Sequence, residues 1–122
     1  MLEKLDTLLG RFLDTLEEKG LLGCINLVII SDHGMSRTTN HVILEDFMDL
    51  DGLLGLYGAV AQIFRVNTTR TTEDIMDSLG CGTQDNARVF TKETMPIRYH
   101  YPKSRRVGDV VVMGVNGAVI HE

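Results

Sequence analysis

Ser31-Asp32-His33-Gly34 follows directly on the apolar run Ile25-Asn26-Leu27-Val28-Ile29-Ile30, so two side chains able to bind a metal stand next to each other at the end of a hydrophobic segment. A carboxylate brings a hard anionic oxygen and an imidazole a borderline nitrogen, a pairing that suits Zn²⁺ and tolerates other divalent ions. Adjacent residues on a regular strand point to opposite faces. The two therefore converge on one ion only where the strand ends at Asp32, and Gly34 supplies conformational freedom for that departure. Catalytic zinc takes three protein ligands and an open position, so further ligands must come from elsewhere. The same residues also fit a plainer role, with Asp32 capping the following turn and His33 an exposed loop side chain.

The other candidates carry less chemistry. His41, His100 and His121 have no carboxylate or cysteine at metal-ligand spacing and read as structural or surface residues. Arg98, Lys103, Arg105 and Arg106 form a short basic cluster of the kind usually found on a solvated surface. No glycine-rich phosphate loop or nucleophile elbow is present.

The elements around the pair follow from periodicity. Leu2, Leu5, Leu9, Phe12, Leu13 and Leu16 recur at helical spacing with charged residues between them, Gly20 stands where a left-handed cap is wanted, and Gly23 gives a further bend. Residues 24–30 are almost wholly apolar, which predicts a central parallel strand covered on both faces, at whose carboxyl end an α/β sheet binds ligands. Residues 42–50 fit a short helix with Leu44, Phe47 and Met48 inward. A second βαβ-like rhythm follows, with strands at 59–66 and 88–91 and a helix at 71–79 capped by Thr72. Two more strands are expected at 109–113 and 118–120, joined by residues 114–117. The fold class is α/β, with a central mainly parallel sheet flanked by helices.

Composition narrows the function. The chain has 122 residues, 43% apolar and 24% charged, with a net charge of −5, which fits one soluble piece without repeats or low-complexity tracts. The acidic balance leaves no nucleic-acid footprint, so any phosphate must be held by local devices such as metals. No stretch approaches the roughly 18 consecutive apolar residues of a membrane span. Cys24 and Cys81 read as free buried thiols as readily as disulfide partners. Asn67-Thr68-Thr69 is a formal glycosylation acceptor.

Residues 26–35, Asn-Leu-Val-Ile-Ile-Ser-Asp-His-Gly-Met, closely resemble the metal-binding strand and loop of the ectonucleotide pyrophosphatase/phosphodiesterase family, in the alkaline phosphatase superfamily. The amphipathic helix before them, Tyr57-Gly58-Ala59-Val60, Arg98-Tyr99-His100-Tyr101 and Arg106-Val107-Gly108-Asp109 occur in the family's order, so the resemblance covers nearly the whole chain. It implies an alkaline-phosphatase-like core in which two zinc ions sit at the carboxyl ends of the strands and a threonine beside one of them attacks phosphorus. Asp32 and His33 would ligate the ion next to that threonine, Ser31 and Gly34 would shape the loop, and Met35 would pack beneath it. The implied reaction is hydrolysis of a phosphodiester or pyrophosphate in nucleotides or phospholipid-type substrates, through a phospho-threonine intermediate.

The resemblance also sets limits. It places the nucleophile and most other zinc ligands before Met1, and a final histidine ligand just beyond Glu122. Residues 1–122 are therefore expected to be the carboxyl-terminal part of a catalytic domain, without catalytic residues of their own and inactive alone. It further implies that Cys24 and Cys81 pair with cysteines outside the chain, that the parent is extracellular or at the cell surface, and that Asn67 is glycosylated. Two rivals stand beside this reading: a non-catalytic binding or interaction module, and another metalloenzyme of the same superfamily.

Overall fold

A computed structural model describes residues 1–80, 83, 85–101 and 103–122. They form two compact units, Met1–Gly34 and Met35–Glu122.

In the first unit, helix α1 (Leu2–Glu18) turns Leu9, Leu13 and Leu16 inward at spacings of four and three, with Leu16 the most buried. Its end is closed as the glycine predicted. Gly20 has φ 65°, its N–H bonds to the Glu17 carbonyl at 2.8 Å, and the Leu21 N–H reaches back to the Leu16 carbonyl at 2.8 Å. These two bonds satisfy carbonyls that every helix end leaves orphaned. Gly23, at φ 90°, adds the expected bend.

Residues 26–30 do not form the expected central strand: they join no ladder, and Val28 and Ile30 are 78% and 85% exposed. An apolar, β-branched run becomes a strand only when a neighbouring chain accepts its hydrogen bonds. No described strand pairs with it.

The second unit holds strands β1 (Asn40–Ile43), β2 (Leu53–Leu56), β3 (Val60–Arg65), β4 (Ala87–Thr91), β5 (Val110–Gly114) and β6 (Ala118–His121), with helix α2 (Thr72–Gly80) between β3 and β4. Four strands make an antiparallel sheet in the order β2-β3-β5-β4, and β1 pairs with β6 in parallel. Because β3 and β4 both run against β5, they are parallel to each other, so β3-α2-β4 is a βαβ unit with β5 inserted between its strands. Helix α2 packs against β4 and β5. The architecture is α/β.

The feature expected of residues 24–30, burial on both faces, belongs to β5. Val110 and Val112 enter one apolar cluster with Ile63, Ile75 and Leu79, while Val111 enters another with Met95 and Val107. Residues 42–50 also differ from expectation, forming β1 and a 3₁₀ turn (Leu44–Asp46) in place of a helix. Leu44 and Met48 are nevertheless buried and Phe47 packs against the core, because 3₁₀ and α spacing bring the same residues inward over one turn. The strands flanking residues 114–117 form but do not pair with each other. The Gly114 N–H goes instead to the Ala59 carbonyl at 2.9 Å, and Gly117, at φ 84°, turns β6 toward β1.

Candidate metal centre

Asp32 and His33 form a hydrogen-bonded loop within the first unit. The Ser31 hydroxyl donates to the His33 carbonyl at 2.6 Å, and the His33 N–H donates to Asp32 Oδ1 at 3.0 Å. The imidazole Nδ1 lies 2.7 Å from the Gly34 carbonyl, which only accepts, so Nδ1 carries the proton. Nε2 then faces Asp32 Oδ2 at 3.3 Å, with His33 and Asp32 side chains 66% and 86% exposed. In the neutral ring Nε2 is an acceptor opposite another acceptor, so the contact is favourable only with a cation between or beside them, either a ring proton or a metal.

The pair fits zinc. Ligands about 2.0–2.1 Å from a tetrahedral ion lie about 3.3 Å apart, the separation found between Nε2 and Oδ2. Anchoring of Nδ1–H on a backbone carbonyl is the support that fixes a metal-binding histidine's tautomer and orientation. The donor set is incomplete: among the described residues no three His, Cys, Asp or Glu side chains are grouped to hold a metal.

Two expectations about the loop are corrected. Gly34 does not have a positive φ, and a Cβ there would meet nothing within 4 Å. The loop departs through the Ser31 and Asp32 hydrogen bonds, which any residue at 34 would leave intact. Met35 does not pack beneath the loop: its side chain is 94% exposed.

The other singled-out residues are dispersed. His100 sits in left-handed backbone at φ 50°, closing the 3₁₀ turn Ile97–Tyr99. Arg98 stacks over the Tyr99 ring at 4.9 Å, and Lys103, Arg105 and Arg106 are exposed. Cys24 is an exposed free thiol, which corrects the buried reading, and Cys81 lies outside the described residues. Asn67 is exposed on the bend after β3. A cavity of about 280 Å³ lined by Val60, Met95, Tyr99, Tyr101, Val111 and Met113 is apolar apart from its tyrosines, and the Tyr101 hydroxyl already accepts from Gln62 Nε2 at 2.8 Å. Its lining includes no carboxylate, histidine, lysine, cysteine or serine.

Sequence reasoning missed one juxtaposition, since β1 and β6 bring His41 Nδ1 to 2.9 Å from His121 Nε2. The parity of two four-residue strands was the only available signal, and one of those strands was read as a helix.

A profile of the type I phosphodiesterase / nucleotide pyrophosphatase family matches residues 1–122. The chain is 35% identical over 121 residues to an ectonucleotide pyrophosphatase/phosphodiesterase of Caenorhabditis elegans, covering 99% of this chain and 16% of that protein. Family member 1 from Mus musculus is 31% identical over 115 residues, 87% of this chain and 13% of that one. Human ectonucleotide pyrophosphatase/phosphodiesterase 5 superposes with a TM-score of 0.85 at 25% identity, over 98% of this chain and 32% of the other. Its murine counterpart, an inactive form in complex with AMP, gives 0.83 at 28% identity, over 96% and 31%. The chain thus spans about a third of the length of these solved structures and far less of the curated relatives.

Proposed function

The chain belongs to the type I phosphodiesterase / nucleotide pyrophosphatase family, and from that premise we propose that it forms the carboxyl-terminal part of a phosphodiesterase catalytic domain in which Asp32 and His33 hold one of two zinc ions. The family is one of metal-dependent hydrolases of phosphodiester bonds. The observation that carries the assignment is the 3.3 Å approach of Asp32 Oδ2 to His33 Nε2 at tetrahedral ligand spacing, with Nδ1–H already held by Gly34.

In this reading each residue has a definable task. Asp32 contributes negative charge and an oxygen donor, His33 contributes Nε2, and the Gly34 carbonyl keeps the imidazole in the tautomer that leaves Nε2 free. Ser31 fixes the His33 peptide so that the two donors stay on one side of the loop. Zinc bound there would supply Lewis-acid stabilisation of phosphate oxygens, which accounts for phosphate chemistry on a chain of net charge −5. The remaining ligands and the nucleophile come from residues outside this chain, so the chain alone turns over no substrate.

A nucleotide-type phosphodiester or pyrophosphate is the proposed substrate class, supported by the AMP complex of the murine relative. A cell-surface or extracellular setting is proposed from the relatives' description as ectoenzymes. It gives the exposed Cys24 thiol and Asn67 defined roles, as a disulfide partner for a cysteine outside the chain and as a glycan acceptor. Cys81 is assigned a disulfide on the resemblance alone. No helix among the described residues is long and apolar enough to cross a membrane.

Equilibrium dialysis of the 122-residue chain against Zn²⁺ tests the assignment. Asp32→Ala and His33→Ala should each weaken zinc uptake about tenfold or more. Unchanged uptake in both variants would remove these residues from the site. Hydrolysis of a nitrophenyl nucleotide ester by the chain alone, lost in Asp32→Ala, would overturn the expected inactivity.

A further inference from the structure

His41 and His121 lie 80 positions apart in sequence and meet on one surface of the β1–β6 pair. The parallel register sets His41 opposite Val119 and Ile43 opposite His121. Residues two apart on a strand share a face, and so do residues opposite each other, which puts both imidazoles on the same side of the ribbon. Val42, Ala118 and Ile120 take the other side and are buried, while both histidines are exposed.

The nitrogens are 2.9 Å apart, with ring centroids at 5.0 Å and planes inclined by 26°. Without a metal the two rings share one N–H between two nitrogens. A cation of suitable geometry replaces that proton and satisfies both lone pairs. Two nitrogens about 2.0–2.1 Å from a metal stand about 3.3–3.4 Å apart at a tetrahedral angle and about 2.9 Å apart at a right angle. The observed spacing is an ordinary N–H···N hydrogen-bond length, and it comes closer to the edge of a square-planar or tetragonal centre than to that of a tetrahedral one.

The geometry points to a second metal site on this chain: a cross-strand bis-imidazole chelate formed by His41 Nδ1 and His121 Nε2 that takes a tetragonal divalent cation of the Cu(II) or Ni(II) type, with water completing the coordination. Exposed rings need only rotate about their Cβ–Cγ bonds to aim both lone pairs at one point, and solvent can supply the other ligands. Burial, and after it the charges of Glu122 and Glu45, push the pKa of the Tyr57 hydroxyl upward, and Tyr57 adjoins the Gly58–Ile120 bridge of β6. Because the ligands sit on β1 and β6, bound metal ties together the two strands that form the parallel ribbon, and so stabilises the folded chain by linkage.

The test uses the whole 122-residue chain, untagged and with its thiols alkylated, titrated with Cu(II) and Ni(II). We expect uptake in the order Cu(II) over Ni(II) over Zn(II), a rise in melting temperature on loading, and a pulsed EPR signal from the remote nitrogens of two imidazoles on one copper. His41→Asn and His121→Asn should each abolish the two-imidazole copper signal and the thermal shift it brings, while His100→Asn, a histidine in neither pair, changes neither. A two-imidazole copper signal that survives both histidine substitutions, or a wild-type EPR signal with one imidazole or none, would overturn the site. The wild-type EPR reading decides the matter even if a variant folds poorly.

Discussion

His33 owes its orientation to a backbone carbonyl and its electrostatic character to Asp32, and neither contact depends on the glycine beside it. Gly34→Ala should therefore leave zinc uptake by the chain unchanged, since the added methyl meets open space at an ordinary φ. Gly52 is the opposite case. At φ 72°, a Cβ there would overlap the Asn67 carbonyl, and the Gly52 carbonyl accepts the N–H groups of both Val66 and Asn67. Gly52→Ala should destabilise the chain by about 2 kcal/mol or more, read as a lower urea midpoint at unchanged slope. The Asp32-His33 pair could be singled out because it is contiguous, so residue type and order suffice to propose it. The role of each glycine was not, because φ depends on hydrogen bonds that a sequence does not display.

Element by element, legibility tracked how local the stabilising contacts are. Helix α1 and its glycine end were readable from a stripe and one residue, and α2 nearly so: its cap is Thr71 where Thr72 was expected. Thr71 Oγ1 accepts from the Asp74 N–H at 3.1 Å while the Thr71 N–H donates to Asp74 Oδ2 at 2.7 Å, a reciprocal capping box. Thr71→Ala should cost about 1 kcal/mol in chemical denaturation. Hydrogen bonding from the Thr71 backbone N–H and side chain, helped by Arg70 and Arg65, holds the Asp74 carboxyl below its ordinary range. A carboxyl depressed on folding contributes stability that is present above its unfolded pKa and is lost as pH falls through the folded value. Asp74→Asn should accordingly flatten the acid limb of the stability–pH curve below about pH 4 and change little of its slope at neutrality. The parallel β1–β6 pairing escaped the sequence because strands this short carry almost no periodicity and their partners are 78 residues apart.

Across the whole molecule, the run 25–30 is the point where sequence and structure part most widely. Its residues are those of a core strand, yet Val28 and Ile30 are largely exposed and no described strand pairs with it. Burial of a β-branched run is a property of the sheet that receives it, so composition identifies the strand but not whether these 122 residues contain its partners. In the catalytic domain proposed above, strands from outside the chain would cover it. In the chain alone, a short, uncharged, β-prone segment with free N–H and C=O groups is a template for pairing with another copy. We expect concentration-dependent self-association by sedimentation velocity, which a net charge of −5 spread over the surface does not prevent. Val28→Lys with Ile30→Lys places charges that cannot be desolvated in an intermolecular ladder and should shift the distribution toward monomer, leaving the Asp32-His33 loop in place. A wild-type chain that stays monomeric and unfolds in one cooperative step would show that the run is already satisfied, and with it that these residues need no outside strands.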